Sequence, residues 1–395
     1  VKAEKKKLNY AVQSLDSEEI MGGANTNFVN TLQGKISGLS VSTSGGSPNA
    51  SSQITIRGIS SINAGQSNEP LLIIDGVAVS GAGVASQINP ADIENMTVLK
   101  GSAASALYGQ EAANGVIMIT TKRAKTGTTS ITLRQQITLS QFDSKLNLWR
   151  DPVLMASLNN ESRINGGFEP LYVGKTNSTG VYYPSIEELQ TTWTTNTRWD
   201  DLVFRDTPVS NNTTATISSS NDRTVFNLSA NYYTDNGMYI KDNYKKGGYN
   251  LSIDHNLYDN LKVRFSNILS RGVRNSNGGL AYWRNPIYPI YDESGNYWLS
   301  NANDFSHPIA LTELRKNESK SLDVISSLAL EWQLFPYLKL TSQLNYKFGK
   351  SVSDKYYPKT YTEAGQFSNG QAEIENWEGP VSYTHLRAHE TTLHL

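Results

Sequence analysis

From about residue 128 onward the chain repeats one pattern, with apolar side chains at every second position, polar ones between them, and turn residues separating the runs. In "ITLRQQITLSQ", Ile131, Leu133, Ile137 and Leu139 share one face while Thr132, Arg134, Gln136, Thr138 and Ser140 share the other. That period belongs to a β-strand, whose successive side chains leave opposite faces of a sheet. The alternation returns with Phe226, Leu228, Ala230 and Tyr232 opposite Asn227, Ser229 and Asn231, and with Leu251 and Ile253 opposite Ser252 and Asp254. It returns again with Leu261, Val263 and Phe265 opposite Lys262, Arg264 and Ser266. The two longest runs set Leu322, Val324, Leu328, Leu330, Trp332 and Leu334 against Asp323, Ser327, Glu331 and Gln333, then Leu338, Leu340, Leu344, Tyr346 and Phe348 against Lys339, Thr341, Gln343, Asn345 and Lys347.

With the weaker segment 209–220, about seven antiparallel strands follow. Many exceed the roughly 5 to 6 residues usual in globular sheets and suit the roughly 9 to 11 of a tilted membrane crossing. The connections sort by length. Short turns fall near Asn221-Asp222, Tyr258-Asp259-Asn260 and Phe335-Pro336, whereas long loops cover roughly 142–208, 235–246 and 275–318. One tight rim and one elaborate rim are what an outer-membrane barrel shows, and a soluble sandwich has little reason to sort its loops by end. Tyr232, Tyr233, Trp332, Tyr337 and Tyr346 fall near strand ends, where an interfacial girdle would place them. Aromatics capping a sandwich core are the other reading of the same residues.

Composition closes several routes. No run approaches 18 apolar residues, so no helix of this chain reads as transmembrane, a test that alternating barrel strands evade. Basic and acidic residues balance at 35 against 36, which marks no nucleic-acid surface. With no cysteine there are no disulfides, thiolate zinc sites or cysteine nucleophiles. The adjacent pairs Asp200-Asp201 and Glu187-Glu188 point apart on a strand or sit solvated in a loop, so no catalytic constellation emerges and the chain does not read as an enzyme. No cofactor is indicated.

Residues 1–127 read differently, as a compact α+β unit. Ser14 or Asp16 caps a short helix in "SLDSEEI", a second helix covers "NFVNTLQGK", and strands follow at "LSVSTSG", "SQITIRG" and "PLLIIDGV", the last closed by the tight-turn pair Asp75-Gly76. "NPADIENMTVLKG" adds a helical turn starting at Asn89-Pro90, then a strand. Between that strand and Val116-Ile117-Met118-Ile119 lie sixteen residues dominated by Gly, Ala and Ser, which permit close backbone approach and make few locking contacts.

This segment, "ALYGQEAANGVIMITTK", resembles the plug signature of the SusC/RagA family of TonB-dependent outer-membrane transporters, at Tyr108, Gly109, Ala112, Ala113, Asn114, Gly115, Val116 to Ile119, Thr120, Thr121 and Lys122. "LQGKISGLSV", "IRGISSIN", "PLLIIDGV" and "INPADIENMTVLKG" resemble further family landmarks in order. Gln110-Glu111 stands where the family often has Ser-Arg, and Lys100-Gly101 where it often has Lys-Asp. The resemblance implies a plug domain over 1–127, the first part of a transmembrane β-barrel over 128–380, and a barrel of 22 strands when whole. It further implies import of large nutrients, oligosaccharides or peptides, across the outer membrane of a Gram-negative bacterium. Energy would come from the TonB complex, and a SusD-like lipoprotein would serve as lid. A siderophore receptor of the same architecture, or a non-transporting β-rich glycan-binding surface protein, are the alternatives. The family's signal peptide, TonB-binding segment and remaining strands are not in these 395 residues, so the chain alone is expected to be a fragment without transport activity.

Candidate ligand contacts are the aromatics of "LAYWRNPIYPIYDESGNYWLSN": Tyr282, Trp283, Tyr288, Tyr291, Tyr297 and Trp298, since sugars and peptide side chains stack on flat rings. The same residues could pack within the loop or bind the lid. The tail 381–395, with "SYTHLRAHETTLHL", resembles translated sequencing-adapter DNA and is set apart as non-native. Its His389 and His394 are five apart, which does not put two rings on one helical face for a metal.

Overall fold

The structure is a computed structural model that describes residues 12–21, 28–43, 48, 52–61, 68–79, 88–100, 104–105, 108–124, 127, 129–141, 150–276, 284–301, 304, 306–359 and 370–390. Its front half is built from β1 (Val12–Asp16), α1 (Ser17–Met21), α2 (Phe28–Thr31), β2 (Leu39–Thr43), β3 (Ser52–Ile56), β4 (Leu71–Ile74), β5 (Val77–Val79), β6 (Ile93–Leu99) and β7 (Val116–Thr121). Asp16 is the cap of α1: its Oδ1 accepts from the backbone N–H groups of Glu18 and Glu19 at 3.0 and 2.9 Å, while Glu19 Oε2 accepts from the Asp16 N–H at 3.0 Å. This reciprocal pair is a capping box, and Ser14 lies in the preceding strand. The expected second helix is one turn long.

Five strands form a mixed sheet in the order β1-β6-β7-β4-β5, with β4 parallel to β7 and the other pairs antiparallel. Asp75 (φ 48°) and Gly76 (φ 88°) turn β4 into β5, both with the positive φ that a two-residue hairpin turn demands. Gly115 has φ 97°, and a Cβ there would meet Ile56 Cδ1 at 2.9 Å and the Leu99 carbonyl oxygen at 3.1 Å. Gly115 thus lets the backbone entering β7 pass close to the end of β3. Around it Ile20, Leu32, Ile54, Leu72, Ile74, Ile88, Ile93, Met96 and Ile117 are buried in one core.

The second half begins with β8 (Thr129–Leu139) and a long loop holding α3 (Pro152–Asn165), the short hairpin β9 (Lys175–Thr176) and β10 (Tyr182–Tyr183), α4 (Ile186–Thr191) and α5 (Trp199–Val203). Next come β11 (Val209–Ser220), β12 (Thr224–Asn236), β13 (Asn243–Tyr258), β14 (Leu261–Asn275), α6 (Pro308–Leu314), β15 (Lys316–Phe335), β16 (Leu338–Tyr357) and β17 (Gln371–Glu390). The eight long strands form one antiparallel sheet in the order β17-β16-β15-β14-β13-β12-β11-β8, and among the described residues it does not close into a barrel. The sequence supports about seven strands; the eighth, β17, is hidden because Glu373, Glu375, Glu378, Gly379 and Pro380 blur its alternation. The backbone of 381–390, which the sequence sets apart as a tail, pairs with β16 from Val381 opposite Lys347 to Glu390 opposite Leu338. The loop expected over 235–246 shrinks to 237–242, because β12 and β13 run on through Asn236 and Asn243.

Burial in this sheet is inverted relative to a soluble core. Ile131, Leu133, Ile137 and Leu139 are 79%, 75%, 62% and 69% exposed, and Leu328, Leu330, Trp332, Leu344 and Ile374 stand open on the same outer face. The opposite face buries Thr214, Asn227, Ser229, Lys246, Asn250, Ser252, Asp254, Ser266, Ser270, Ser327 and Asn345 against the front domain. Of the expected girdle, Tyr232, Trp332, Tyr337 and Tyr346 are exposed, but Tyr233 is buried and turned inward against Tyr244, with ring centroids 6.2 Å apart. Tyr232 and Tyr233 are sequence neighbours on a strand, so only one of them can face out.

Gly115→Ala is expected to destabilise the front domain by roughly 1 to 3 kcal/mol, through the positive φ and the Ile56 and Leu99 contacts. A urea midpoint unchanged in that variant would contradict the close-approach account.

Candidate functional site

The front domain sits in the hollow of the sheet and touches it unevenly. On one side a 3-10 turn, Pro90–Asp92, docks on β11 to β13. Asn89 caps this turn, its Oδ1 accepting from the Ala91 N–H at 3.1 Å, and its Nδ2 donates to Thr214 Oγ1 of β11 at 2.9 Å. Asp92, 6% exposed, accepts a hydrogen bond from Ser229 of β12 and lies near the charges of Lys122 and of Lys246 on β13. Burial outweighs these favourable neighbours and pushes the Asp92 carboxyl up to about 6. Just past β7, Arg123 pairs with Asp254 of β13, which also receives Lys262 at 3.1 Å and Arg264 at 3.6 Å. The β6–β7 pair is therefore held to the wall before its first strand and after its second.

On the other side the β4–β5 turn faces β14 to β16 across a cavity of about 290 Å3. Thr121 holds Asp75 there, its N–H donating to Oδ1 at 3.0 Å and its Oγ1 to Oδ2 at 2.6 Å. Gly76 lets the turn approach the wall, since a Cβ on it would lie 3.0 Å from Gln343 Nε2. The wall of the cavity carries Arg264, Ser266, Ser327, Glu331, Thr341 and Gln343. Two cations meet one carboxylate there, Arg264 Nη1 at 2.8 Å and Lys339 Nζ at 2.6 Å from Glu331, and Arg123 and Asp75 of the front domain line the same cavity.

The signature residues surround the same two regions. Tyr108 and Thr120 line the cavity, and the Tyr108 hydroxyl lies 3.8 Å from Met118 Sδ. Gly109 precedes the 3-10 turn Gln110–Ala112, whose Ala112 is buried with Leu71, Ile73, Leu99, Ala104 and Val116. Ala113 is exposed, Asn114 Oδ1 accepts from Ser60 Oγ at 2.6 Å, Gly115 makes the close approach described above, Thr121 is buried, and the Lys122 N–H donates to the Asp92 carbonyl at 2.8 Å. Burial lowers the Lys122 ammonium, and Asp92 works against that shift. Alternation marks which residues are polar on the wall; nothing in it marks Thr214, Ser229, Lys246 and Asp254 as partners of Asn89, Asp92 and Arg123.

Beyond the long-loop rim, α3 to α6 and their connections form a separate packed unit. Its centre is Arg284, which donates to Asp304 Oδ1 at 2.7 Å and lies over the rings of Trp199 and Tyr288 at 5.4 and 5.2 Å. Burial alone would raise Asp304, but the Arg284 hydrogen bonds hold it well below the usual carboxylate range. Of the six aromatic candidates, Tyr282 and Trp283 lie outside the described residues. Tyr288 and Trp298 pack on each other with centroids 4.6 Å apart, and Tyr291 and Tyr297 pair at 5.4 Å. The Tyr297 hydroxyl donates to Glu313, whereas Tyr291 keeps 49% of its surface open. The acidic pairs have structural partners: Glu188 completes the capping box of α4 with Ser185, Asp200 meets Arg150 at 2.8 Å and Asp201 meets Arg198 at 2.6 Å.

Comparison with known proteins places this geometry. Residues 4–116 match the family model of the TonB-dependent Receptor Plug Domain. The TonB-dependent receptor SusC of Bacteroides thetaiotaomicron is 28% identical over 411 residues, covering 94% of this chain and 38% of that protein. The TonB-dependent receptor P39 of Formosa agariphila is 27% identical, covering 91% of this chain and 33% of that protein. This chain thus spans about a third to two fifths of the relatives' length. Among solved structures, the RagAB peptide importer in its open-open state superposes with a TM-score of 0.78 at 21% identity, covering 97% of this chain and 45% of that chain. The siderophore receptor PiuA from Acinetobacter baumannii reaches 0.54 at 15% identity, over 98% of this chain and 43% of that one.

Asp92 predicts a pH signature. Its folded-state value near 6 lies above the ordinary 3.8, so the protonated form is favoured when docked; docking is strongest below about pH 4, weakens as pH rises through 6, and is weakest above it. The difference corresponds to roughly 3 kcal/mol. Asp92→Asn should remove this slope in urea titrations of plug release from the detergent-solubilised protein, and identical profiles for the two proteins would overturn the assignment.

Proposed function

We propose that this chain, which carries the plug domain and part of the barrel of a SusC/RagA-type TonB-dependent receptor, belongs to an importer that brings large nutrients across a bacterial outer membrane. The supporting observation is the inverted sheet. An apolar outer face and a hydroxyl- and amide-rich inner face suit strands with hydrocarbon on one side and a hydrated lumen on the other. A soluble glycan-binding sandwich would bury the face that is open here. Within the receptor class, the higher superposition on RagAB than on the siderophore receptor favours a carrier of large substrates.

In this reading the plug blocks the lumen, the TonB complex supplies the energy that shifts it, and a SusD-like lipoprotein covers the long-loop rim. The substrate is an oligosaccharide or a peptide, and the domains divide near residue 127. The aromatic loop 281–300 is its first contact, with Tyr291 the ring best placed to stack on it, since Tyr288 and Trp298 support the loop from within.

Two measurements test this. Spin labels at Leu328 and Leu344 of the uninterrupted receptor in vesicles should meet lipid-dissolved oxygen more than an aqueous nickel reagent; the reverse order at both sites removes the membrane reading. Tyr291→Ala should weaken substrate binding about tenfold, roughly the loss expected for one stacked ring, and Trp298→Ala should act mainly on stability. Equal affinity in wild type and Tyr291→Ala would take the loop out of the site.

A further inference from the structure

Resting on the membrane reading above, we propose that the outer face of β13 to β15 carries, just above its apolar band, a basic site that holds a phosphate-bearing headgroup of the outer-leaflet lipid.

The height of the site follows from the strands themselves. On β14 the outward positions run Leu261, Val263, Phe265, Asn267 and Leu269 before Arg271, and Asn267 donates to Ser326 Oγ at 2.6 Å. Ten residues of strand at a tilt near 40° raise Arg271 roughly 25 Å above Leu261, which is the height of a barrel's apolar band. On β15 the outward row from Trp332 up to Leu322 gives way in the same manner to Lys320. In both strands the charged end is the one nearest the long loops, hence the external end in the proposed orientation. Tyr232 marks the same level: it pairs with Gly247, which pairs with Arg271, and its ring is 53% exposed, as an interfacial aromatic would be.

Register brings the cations together. Lys245 and Lys320 are the partners of Val273 on its two sides, so their backbones lie roughly 10 Å apart, and Arg271 follows one pleat away on the same face. Three long side chains at that spacing can meet on one phosphate. The acids of this face are engaged, Glu318 with Lys320 at 2.7 Å, Asp354 with Lys316, and Glu378 with Lys350 at 3.2 Å. Lys245 and Arg271 are exposed and make no ion pair among the described residues. Cations that merely reached for water would ring the barrel evenly. Instead, the outward positions of β11 and β12 at this rim are Asn211, Thr213, Thr234 and Asn236.

The chemistry then names the occupant. A guanidinium grips two phosphate oxygens at once, and flanking ammonium groups add charge without demanding a direction. The two charges left without a carboxylate match the one to two negative charges of a phosphate ester. A phosphate carried on a lipid arrives at this height already anchored by its acyl chains, whereas a free phosphate must be drawn from water.

The test uses the full-length receptor in detergent with a chelator present, so that no divalent ion bridges acid to phosphate. Bis-phosphorylated lipid A and its dephosphorylated form compete for the protein, and bound lipid is counted by native mass spectrometry. The phosphorylated form should be retained more than tenfold over the other. Arg271→Gln with Lys245→Gln should cut that preference at least tenfold, Arg271→Lys should keep most of it, and Lys175→Gln, an exposed lysine of the long loops, should leave it unchanged. Equal retention of the two lipids by the wild-type protein overturns the proposal without recourse to any variant, and so does displacement of the lipid by millimolar inorganic phosphate, which would make the site one for the free ion. The spin label at Leu328 separates the two readings. If it meets the aqueous reagent, the membrane reading has failed; if it meets oxygen while the lipids bind equally, only the headgroup site has.

Discussion

Every feature of this chain depends on a sheet whose two faces are both spoken for. The backbones of β11 to β16 pair with a strand on either side, and the edge strands β8 and β17 pair on one, which leaves side chains to decide what each face meets. The outer row around Leu328, Leu330 and Leu344 excludes water as a comfortable neighbour, and the inner row around Ser229, Ser252 and Asn345 excludes an oily core. The plug must therefore be a self-sufficient domain with its own apolar centre, meeting the wall mainly through polar and charged contacts. The buried Asn250 side chain, which finds no protein partner among the described residues, marks that seam as one suited to water more than to fusion.

That division seats the plug firmly without fusing it to the wall. A single continuous hydrophobic core across plug and wall would resist any force short of unfolding. Here the plug core adds only Ile268 and Ile325 from the wall among the described residues, and the remaining attachment is concentrated near Asn89, Asp92 and Arg123.

Much of this was legible in the residues and some was not, for physical reasons. Period-two alternation located seven of the eight wall strands, because one face of most of them is largely apolar. It lost β17, where a proline, a glycine and three glutamates interrupt the oily row. Asp75-Gly76 announced its hairpin through local turn chemistry, and the plug signature announced the close passage at Gly115. Pairings such as Asn89 with Thr214 are 125 residues apart and left no local trace. The aromatic loop shows the same limit: letters alone do not tell Trp298, packed against Tyr288, from Tyr291, open to its surroundings.

The lengths of β15 and β16 carry one more consequence. Each is 20 residues long, or roughly 65 Å of strand, which at a tilt near 40° still rises about 50 Å against a hydrocarbon layer of about 30 Å. In the proposed orientation the surplus stands as a collar above the lipid headgroups. On the β15 side the loop unit built on Arg284 and Asp304 is thus carried beyond the hydrocarbon, whereas β8 and β11, at 11 and 12 residues, span little more than that layer.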